Sequence, residues 1–392
     1  MRRWIWIVGC IAVGFVTSLA YGQDAPDAKT KAEALTGEVD VEVLIHSIDV
    51  PGIEKELKIV EFEALSIARL TKYMIFLPDD YEETEKNYPV LYLLHGFSQN
   101  YTVWPMMGVS EYLDTFNDMI IVMPDVGNSW YINWAENDGK ELNNWEDFII
   151  YDIIHNVDQT FRTIAQRSGR AISGLSMGGY GAMILGLRHP DMFCSIASHS
   201  GALGYARTAR ERIESGQPVP RSVASPADDN PKDTDIPEMI SIPGFTRQHE
   251  RYPNGVPFLT VEDCNQYDPF FLIENIPPKL LPHIYLDCGL EDNLIGVSQE
   301  FAMSMMQKGL PFAFGQSPGE HRPSYWGREV ATSLGVQHAV IERNVKFLER
   351  KQAEQLKQML MEQVGEAEAA AGGHEGHGEH DHSNVREVII DP

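Results

Sequence analysis

Gly174-Leu175-Ser176-Met177-Gly178 follows Arg170-Ala171-Ile172-Ser173 and precedes a stretch, Gly178 to His189, with helical spacing of its apolar residues. Glycines two before and two after a serine permit a sharp strand-to-helix turn, which would hold the hydroxyl exposed at a helix N-terminus. A serine so placed can attack an electrophilic carbon. A hydroxyl is a weak nucleophile until a base takes its proton, and a histidine serving as base needs a carboxylate to orient it.

Both partners have candidates downstream, in the order serine, acid, histidine. Tyr285-Leu286-Asp287-Cys288-Gly289-Leu290-Glu291-Asp292 runs from an apolar strand into a loop, where an acid would face the serine. Asp292 is assigned that role; Glu291 is the competitor, and Asp287, nearer the strand, reads as a hydrogen-bonding residue at its end. His321 is assigned as the base, because Ser317-Pro318-Gly319-Glu320-His321 forms a glycine-containing loop after Pro311-Phe312-Ala313-Phe314. His283 begins its strand and so points to the wrong end of the sheet, whereas His199 lies at a C-terminal strand end and is the main rival. Attack on a carbonyl leaves an oxyanion that needs N–H donors. The Met177 amide, at the helix N-terminus, supplies one. Phe97, in the loop Leu93-Leu94-His95-Gly96-Phe97-Ser98, supplies the second, with His95 as a brace for that loop.

These residues must be positioned by a frame, and the sequence predicts one of strands alternating with helices. Pro89 to Leu94, Met119 to Met123, Ser195 to Ser200 and Pro282 to Asp287 are short and mostly apolar, as strands covered on both faces should be. Two further strands are expected between Leu57 and Pro78. Trp145 to Phe161 carries a helical stripe, and Val297 to Gly309 a second helix stopped by glycine. Asp268-Pro269 reads as an N-cap followed by an N1 proline. The alternation predicts an α/β fold with a mostly parallel sheet. Residues 205–267, rich in proline and acids, read as an irregular, cap-like insertion, and a long helix is expected after Val336.

The 392 residues carry 57 acidic against 31 basic side chains, a net charge of −26. Such a chain repels nucleic-acid phosphates and anionic bilayers, which disfavours both as partners. With 43% hydrophobic residues it has enough apolar surface for a large core. Met1-Arg2-Arg3 followed by the apolar stretch Trp4 to Ala20 reads as a signal peptide over residues 1–22, and the expectation is a secreted or periplasmic protein free of the membrane after cleavage. Residues 23–56 are a linker and lead-in, 57–349 the folded domain, 350–364 the end of a C-terminal helix and 365–392 a solvated tail. Cys194, Cys264 and Cys288 then remain, too few for a disulfide framework, and read as buried free thiols. His374, His377, His380 and His382 read as part of the solvated tail in preference to a metal site, and the reaction needs no metal or other cofactor.

Several segments match a known pattern together: Phe76-Leu-Pro-Asp-Asp-Tyr81, Leu93 to Ser98, Met123-Pro-Asp-Val-Gly-Asn-Ser-Trp-Tyr131, Gly174-Leu-Ser-Met-Gly-Gly-Tyr-Gly181, His199-Ser-Gly-Ala202, Tyr267-Asp-Pro269, Asp287 to Asp292 and Gly319-Glu-His321. Over residues 58–349 the chain resembles the esterase D-like branch of the α/β-hydrolases. That branch includes S-formylglutathione hydrolases, feruloyl and acetylxylan esterases of carbohydrate esterase family 1, tributyrin esterases and mycolyltransferases. The resemblance implies an α/β-hydrolase fold, the triad Ser176, Asp292 and His321, and the oxyanion donors Phe97 and Met177. It implies hydrolysis of a carboxylic ester, on a small molecule or an acylated polysaccharide, with acyl transfer to a sugar hydroxyl as the alternative and a non-catalytic binding module as a more distant one. Trp130, Tyr131 and Trp134 are the candidate substrate-binding aromatics, with core packing as their other reading.

Overall fold

The computed structural model describes residues 43–48, 55–137, 142–219 and 255–372. Among them, nine strands form one sheet: β1 (Leu44–Ile48), β2 (Leu57–Ala64), β3 (Arg69–Phe76), β4 (Val90–Leu94), β5 (Ile120–Pro124), β7 (Arg170–Leu175), β8 (Ser195–His199), β10 (His283–Gly289) and β11 (Ala313–Ser317). β6 (Glu136–Asn137) and β9 (Gly255–Val256) make a separate two-stranded ribbon. The sheet order is β1-β2-β3-β5-β4-β7-β8-β10-β11. The first three strands are antiparallel to their neighbours, and β5 through β11 run parallel.

Composition explains this division. β4, β5, β7 and β8 are buried at every position, which is the consequence of helices covering both faces of a parallel sheet. β2 mixes buried and half-exposed positions, as an outer antiparallel strand can. The Met177–Arg188 helix is buried from Met177 through Leu187, pressed between the sheet and the capped Pro269–Asn275 helix. Asp268 accepts the Phe270 amide at 3.0 Å, and Pro269 stands at N1, as expected. Trp145 to Thr160 is helical throughout, with a π-helical turn at Phe148–Ile153 between α-helical ends.

Three expectations are corrected. β1 lies inside the stretch read as linker; it buries only one end, so no apolar run announces it. The final helix starts at Pro323, well before Val336, because proline is well suited to a first turn where its missing N–H has no partner to lose. The proline-rich region is not irregular throughout: it opens with the Tyr205–Glu214 helix and ends with the Val261–Gln266 helix, whose Thr260 and Asp263 form a capping box. Residues 220–254 between them, the signal segment and the four tail histidines lie outside the described residues.

The chain divides into two units, residues 1–342 and 343–392. In the first, Gln337 of the final helix donates to Ile172 O at 3.1 Å and ties that helix to β7. In the second, residues 350–366 of the helix are exposed. Cys194, Cys264 and Cys288 are free and buried. None of the described helices is long and apolar enough to cross a membrane.

Candidate active site

Ser176 is the single residue between β7 and the Met177–Arg188 helix, and its backbone sits at φ 53°, ψ −115°. A non-glycine residue there is strained and persists only because its surroundings hold it. Two glycines make that possible. A Cβ at Gly174 would come within 2.3 Å of Gly178 O, and one at Gly178 within 2.5 Å of Leu94 O. The elbow therefore nests against the end of β4, which leads into the Phe97 loop.

The structure brings the three assigned residues together. His321 Nε2 lies 2.9 Å from Ser176 Oγ, and His321 Nδ1 lies 2.9 Å from Asp292 Oδ2. Asp292 is 2% exposed and also accepts the Leu294 amide at 2.8 Å. Burial alone would raise its pKa, but the hydrogen bonds from His321 and Leu294 outweigh burial and hold it below the usual carboxylate range. An ionised Asp292 beside Nδ1–H fixes the tautomer that leaves Nε2 free to take a proton. The edge of Trp326 packs against the His321 ring, with centroids 4.8 Å apart, and limits its rotation.

The competitors have other positions. Glu291 accepts the Gly319 amide at 2.6 Å and donates its own amide to Gly319 O, so it braces the loop that carries His321. His283 begins β10 at the opposite end of the sheet from Ser176. His199 is buried beside Asp287, 2.7 Å away, and does not join the Ser176 relay.

The Phe97 loop is built by long-range polar contacts. His95 Nδ1 pairs with Gly96 O at 2.8 Å, while Nε2 accepts the Val126 amide at 3.1 Å, which makes Nδ1 the protonated nitrogen. Gln99 Oε1 accepts the Gly96 amide and Asn128 Oδ1 accepts the Ser98 amide. His95 braces the loop as the sequence suggested. Gln99 and Asn128 were not foreseen; their only local cue is that amide side chains favour turns. Phe97 itself is 42% exposed, and the Met177 amide stands at the first position of the elbow helix.

The three candidate aromatics separate. Tyr131 is fully buried and donates from its hydroxyl to His95 O at 2.8 Å, and Trp134 is buried with Nε1 donating to Ser129 O at 3.0 Å. Both occupy the core and neither forms an open wall. Trp130 remains half-buried, stacked flat on Tyr205 at 3.6 Å and 6.0 Å from the Phe97 ring. Among the described residues, no group of three or more His, Cys, Asp or Glu side chains is arranged to hold a metal ion.

A mostly parallel sheet with a serine elbow at the end of a central strand, and its histidine and acid on later strand-end loops, defines an α/β-hydrolase. Residues 65–336 match the Esterase family, described as "Putative esterase", and the chain belongs to that family. It is 38% identical over 136 residues to esterase Rv1288 of Mycobacterium tuberculosis, an alignment covering 34% of this chain and 29% of that one. It is 31% identical over 144 residues to an endo-1,4-beta-xylanase/feruloyl esterase of Xylanibacter ruminicola, covering 34% and 20% respectively. The alignments thus span under a third of either relative. Among solved structures, the fluorophosphonate-binding serine hydrolase FphF of Staphylococcus aureus superposes with a TM-score of 0.56 at 20% identity, covering 72% of this chain and 98% of that one.

Proposed function

We propose that the chain is an exported serine esterase that hydrolyses a carboxylic ester through an acyl-enzyme, with an acylated polysaccharide as the substrate class. The observation that carries the reading is the relay from Ser176 Oγ through His321 to Asp292, at 2.9 Å for each link, set on a strained elbow. Ser176 Oγ attacks the ester carbonyl carbon while His321 Nε2 takes its proton. The carbonyl oxygen becomes an oxyanion, held by the amides of Phe97 and Met177. When the tetrahedral intermediate collapses, the bond to the alcohol oxygen breaks and His321 returns the proton to it. Water then attacks the acyl carbon as His321 Nε2 takes its proton; on collapse the bond from that carbon to Ser176 Oγ breaks and His321 returns the proton to Oγ, releasing the acid and restoring Ser176.

Export is supported by the basic start and apolar run of residues 1–22, and the polysaccharide reading by the relative whose name joins a xylanase to a feruloyl esterase. A fluorophosphonate probe, a panel of acetyl, butyryl, feruloyl and long-chain esters, and acylated xylan test the esterase and polysaccharide readings. The parent protein is expected to label and turn over at least one ester, and Ser176→Ala to do neither while remaining folded. Ester turnover by Ser176→Ala close to the parent rate would overturn the assignment. Acylated xylan left uncleaved where small esters are hydrolysed would remove the polysaccharide reading alone.

A further inference from the structure

His199 and Asp287 stand opposite one another on the adjacent parallel strands β8 and β10, and both are buried. His199 Nδ1 lies 2.7 Å from Asp287 Oδ2, a close contact without hydrogen-bond alignment. A buried polar pair carries a desolvation cost that an apolar pair of similar volume avoids, and neither residue belongs to the Ser176 relay. Its placement supplies a use. His199 O accepts the Ser176 amide at 2.9 Å, Asp287 O accepts the Ser200 amide at 2.8 Å, and Ala202 donates its amide to Ser176 O at 3.1 Å.

Ser176 and Ser200 are both non-glycine residues at positive φ, 53° and 45°. Such backbone survives only where neighbouring structure over-determines it. The third neighbour is Trp104, whose ring meets His199 edge-on at 5.7 Å while its Nε1 donates to Leu94 O at 3.1 Å. Leu94 ends the strand that feeds the Phe97 loop. The strand ends leading to Phe97, Ser176 and Asp292 therefore all meet around His199.

We infer that His199 and Asp287 are a positioning pair. By packing in close contact between β8 and β10 they hold the strained backbone of Ser176 and so fix the distance from its Oγ to His321, without touching substrate. The inference rests on the reading of Ser176 as nucleophile.

The test uses His199→Gln, Asp287→Asn and the double variant His199→Phe/Asp287→Leu in the full chain. Three quantities are followed: kcat and KM on nitrophenyl acetate per fluorophosphonate-labelled site, the rate of labelling, and Tm. His199→Gln is expected to lower kcat and the labelling rate together by about 10²-fold with KM unchanged, the loss typical of a small misplacement of a reacting group. Asp287→Asn keeps the shape of the side chain beside His199 and should lower kcat and the labelling rate by about tenfold, less than His199→Gln does. The apolar double variant should regain Tm but not kcat, a split that a purely structural pair would not give. Parent-like kcat per labelled site in His199→Gln or in the double variant would overturn the inference. If His199→Gln fails to fold, Asp287→Asn decides, and full parent kcat and labelling rate there would also overturn it. Ser176→Ala, run in parallel, separates the two readings: turnover by that variant removes the nucleophile assignment, whereas an inert Ser176→Ala beside fully active His199 and Asp287 variants removes only the positioning pair.

Discussion

Asp152→Asn should stabilise the protein, and only above a definable pH. Asp152 lies in the π-helical turn Phe148–Ile153, and its carboxylate accepts the Ser66 amide at 2.9 Å. Burial pushes its pKa from the ordinary 3.8 up to about 6, opposed by the Ser66 N–H and reinforced by Asp147. A carboxyl that holds its proton longer when folded than when unfolded weakens the fold as it ionises. Below pH 3.8 both states are protonated and there is no penalty; the penalty grows between pH 3.8 and about 6 and is complete above that. The gap between those values, at about 1.4 kcal/mol per pH unit, makes the full penalty about 3 kcal/mol. Asparagine removes the charge and still accepts from Ser66, but through a weaker hydrogen bond costing about 1 kcal/mol. The net expectation at pH 8 is a gain of about 2 kcal/mol, or about 3 °C in Tm for a folded body of this size. At pH 3.5 no gain should remain. Calorimetry of parent and variant across that range is the measurement. A gain of equal size at both pH values, or a loss at pH 8, would refute the burial argument.

Four side chains extend the same reasoning. Asp292→Asn should lower kcat by about 10⁴, because a triad amide no longer fixes the histidine tautomer; Glu291→Gln, which alters only the brace at Gly319, should be mild, and the reverse pattern in steady-state kinetics would move the acid to Glu291. Glu146 is buried and receives Arg188, His189 and the Tyr267 hydroxyl; burial works against its charge, but Arg188 and His189 outweigh it and hold its pKa far below the usual range. Glu146→Gln should cost about 3 kcal/mol at pH 7 by stranding Arg188. Since the folded pKa is depressed, Glu146 stabilises above its unfolded value near 4.5 and loses that contribution as pH falls, so urea titrations should show parent and variant converging in acid. Tyr205→Ala removes the plane stacked on Trp130 and should change kcat/KM for bulky esters while the smallest ester is still cleaved; an equal loss for every ester in a folded variant would count against a specificity role.

How much of this was legible depended on whether a residue's role is set locally. The strands β4 and β5 announce themselves because burial on both faces requires nearly continuous apolar runs, whereas β8 and β10 keep only Ile196-Ala197 and Ile284-Tyr285-Leu286 as apolar centres. The elbow was legible because Gly174 and Gly178 are demanded by approaches of 2.3 and 2.5 Å that no side chain tolerates. β11 extends beyond the expected Pro311–Phe314 stretch: Gly315, Gln316 and Ser317 belong to it, yet at the sheet edge they are half-buried or exposed, so no hydrophobic run marks them. The helix Tyr205–Glu214 was concealed by the prolines that follow it, which begin only at Pro218. Tyr131 and Trp134 could not be separated from Trp130 by sequence, since burial of an aromatic ring and display of it use the same residue type.

The acid assignment shows why loop chemistry is harder to read than strand chemistry. Glu291 and Asp292 are adjacent carboxylates, and both make a hydrogen bond to the segment that carries His321. What separates them is direction. Asp292 reaches the imidazole and is 2% exposed, so its charge acts on Nδ1–H with little screening by water. Glu291 reaches the Gly319 amide, two residues before the histidine, from an exposed position. Spacing in the chain cannot encode that difference, because a turn of one peptide exchanges the two side chains. It is set by Asp292 N donating to Gly289 O and Leu294 N donating back to Asp292 Oδ1, a local turn that points the aspartate inward. The same turn leaves Glu291 free to pin Gly319, whose φ of 156° a larger residue would adopt only with strain and whose Cβ would lie 2.4 Å from the Tyr325 ring. One turn therefore does two jobs: it aims the acid at the base, and it fixes the loop that presents the base to Ser176.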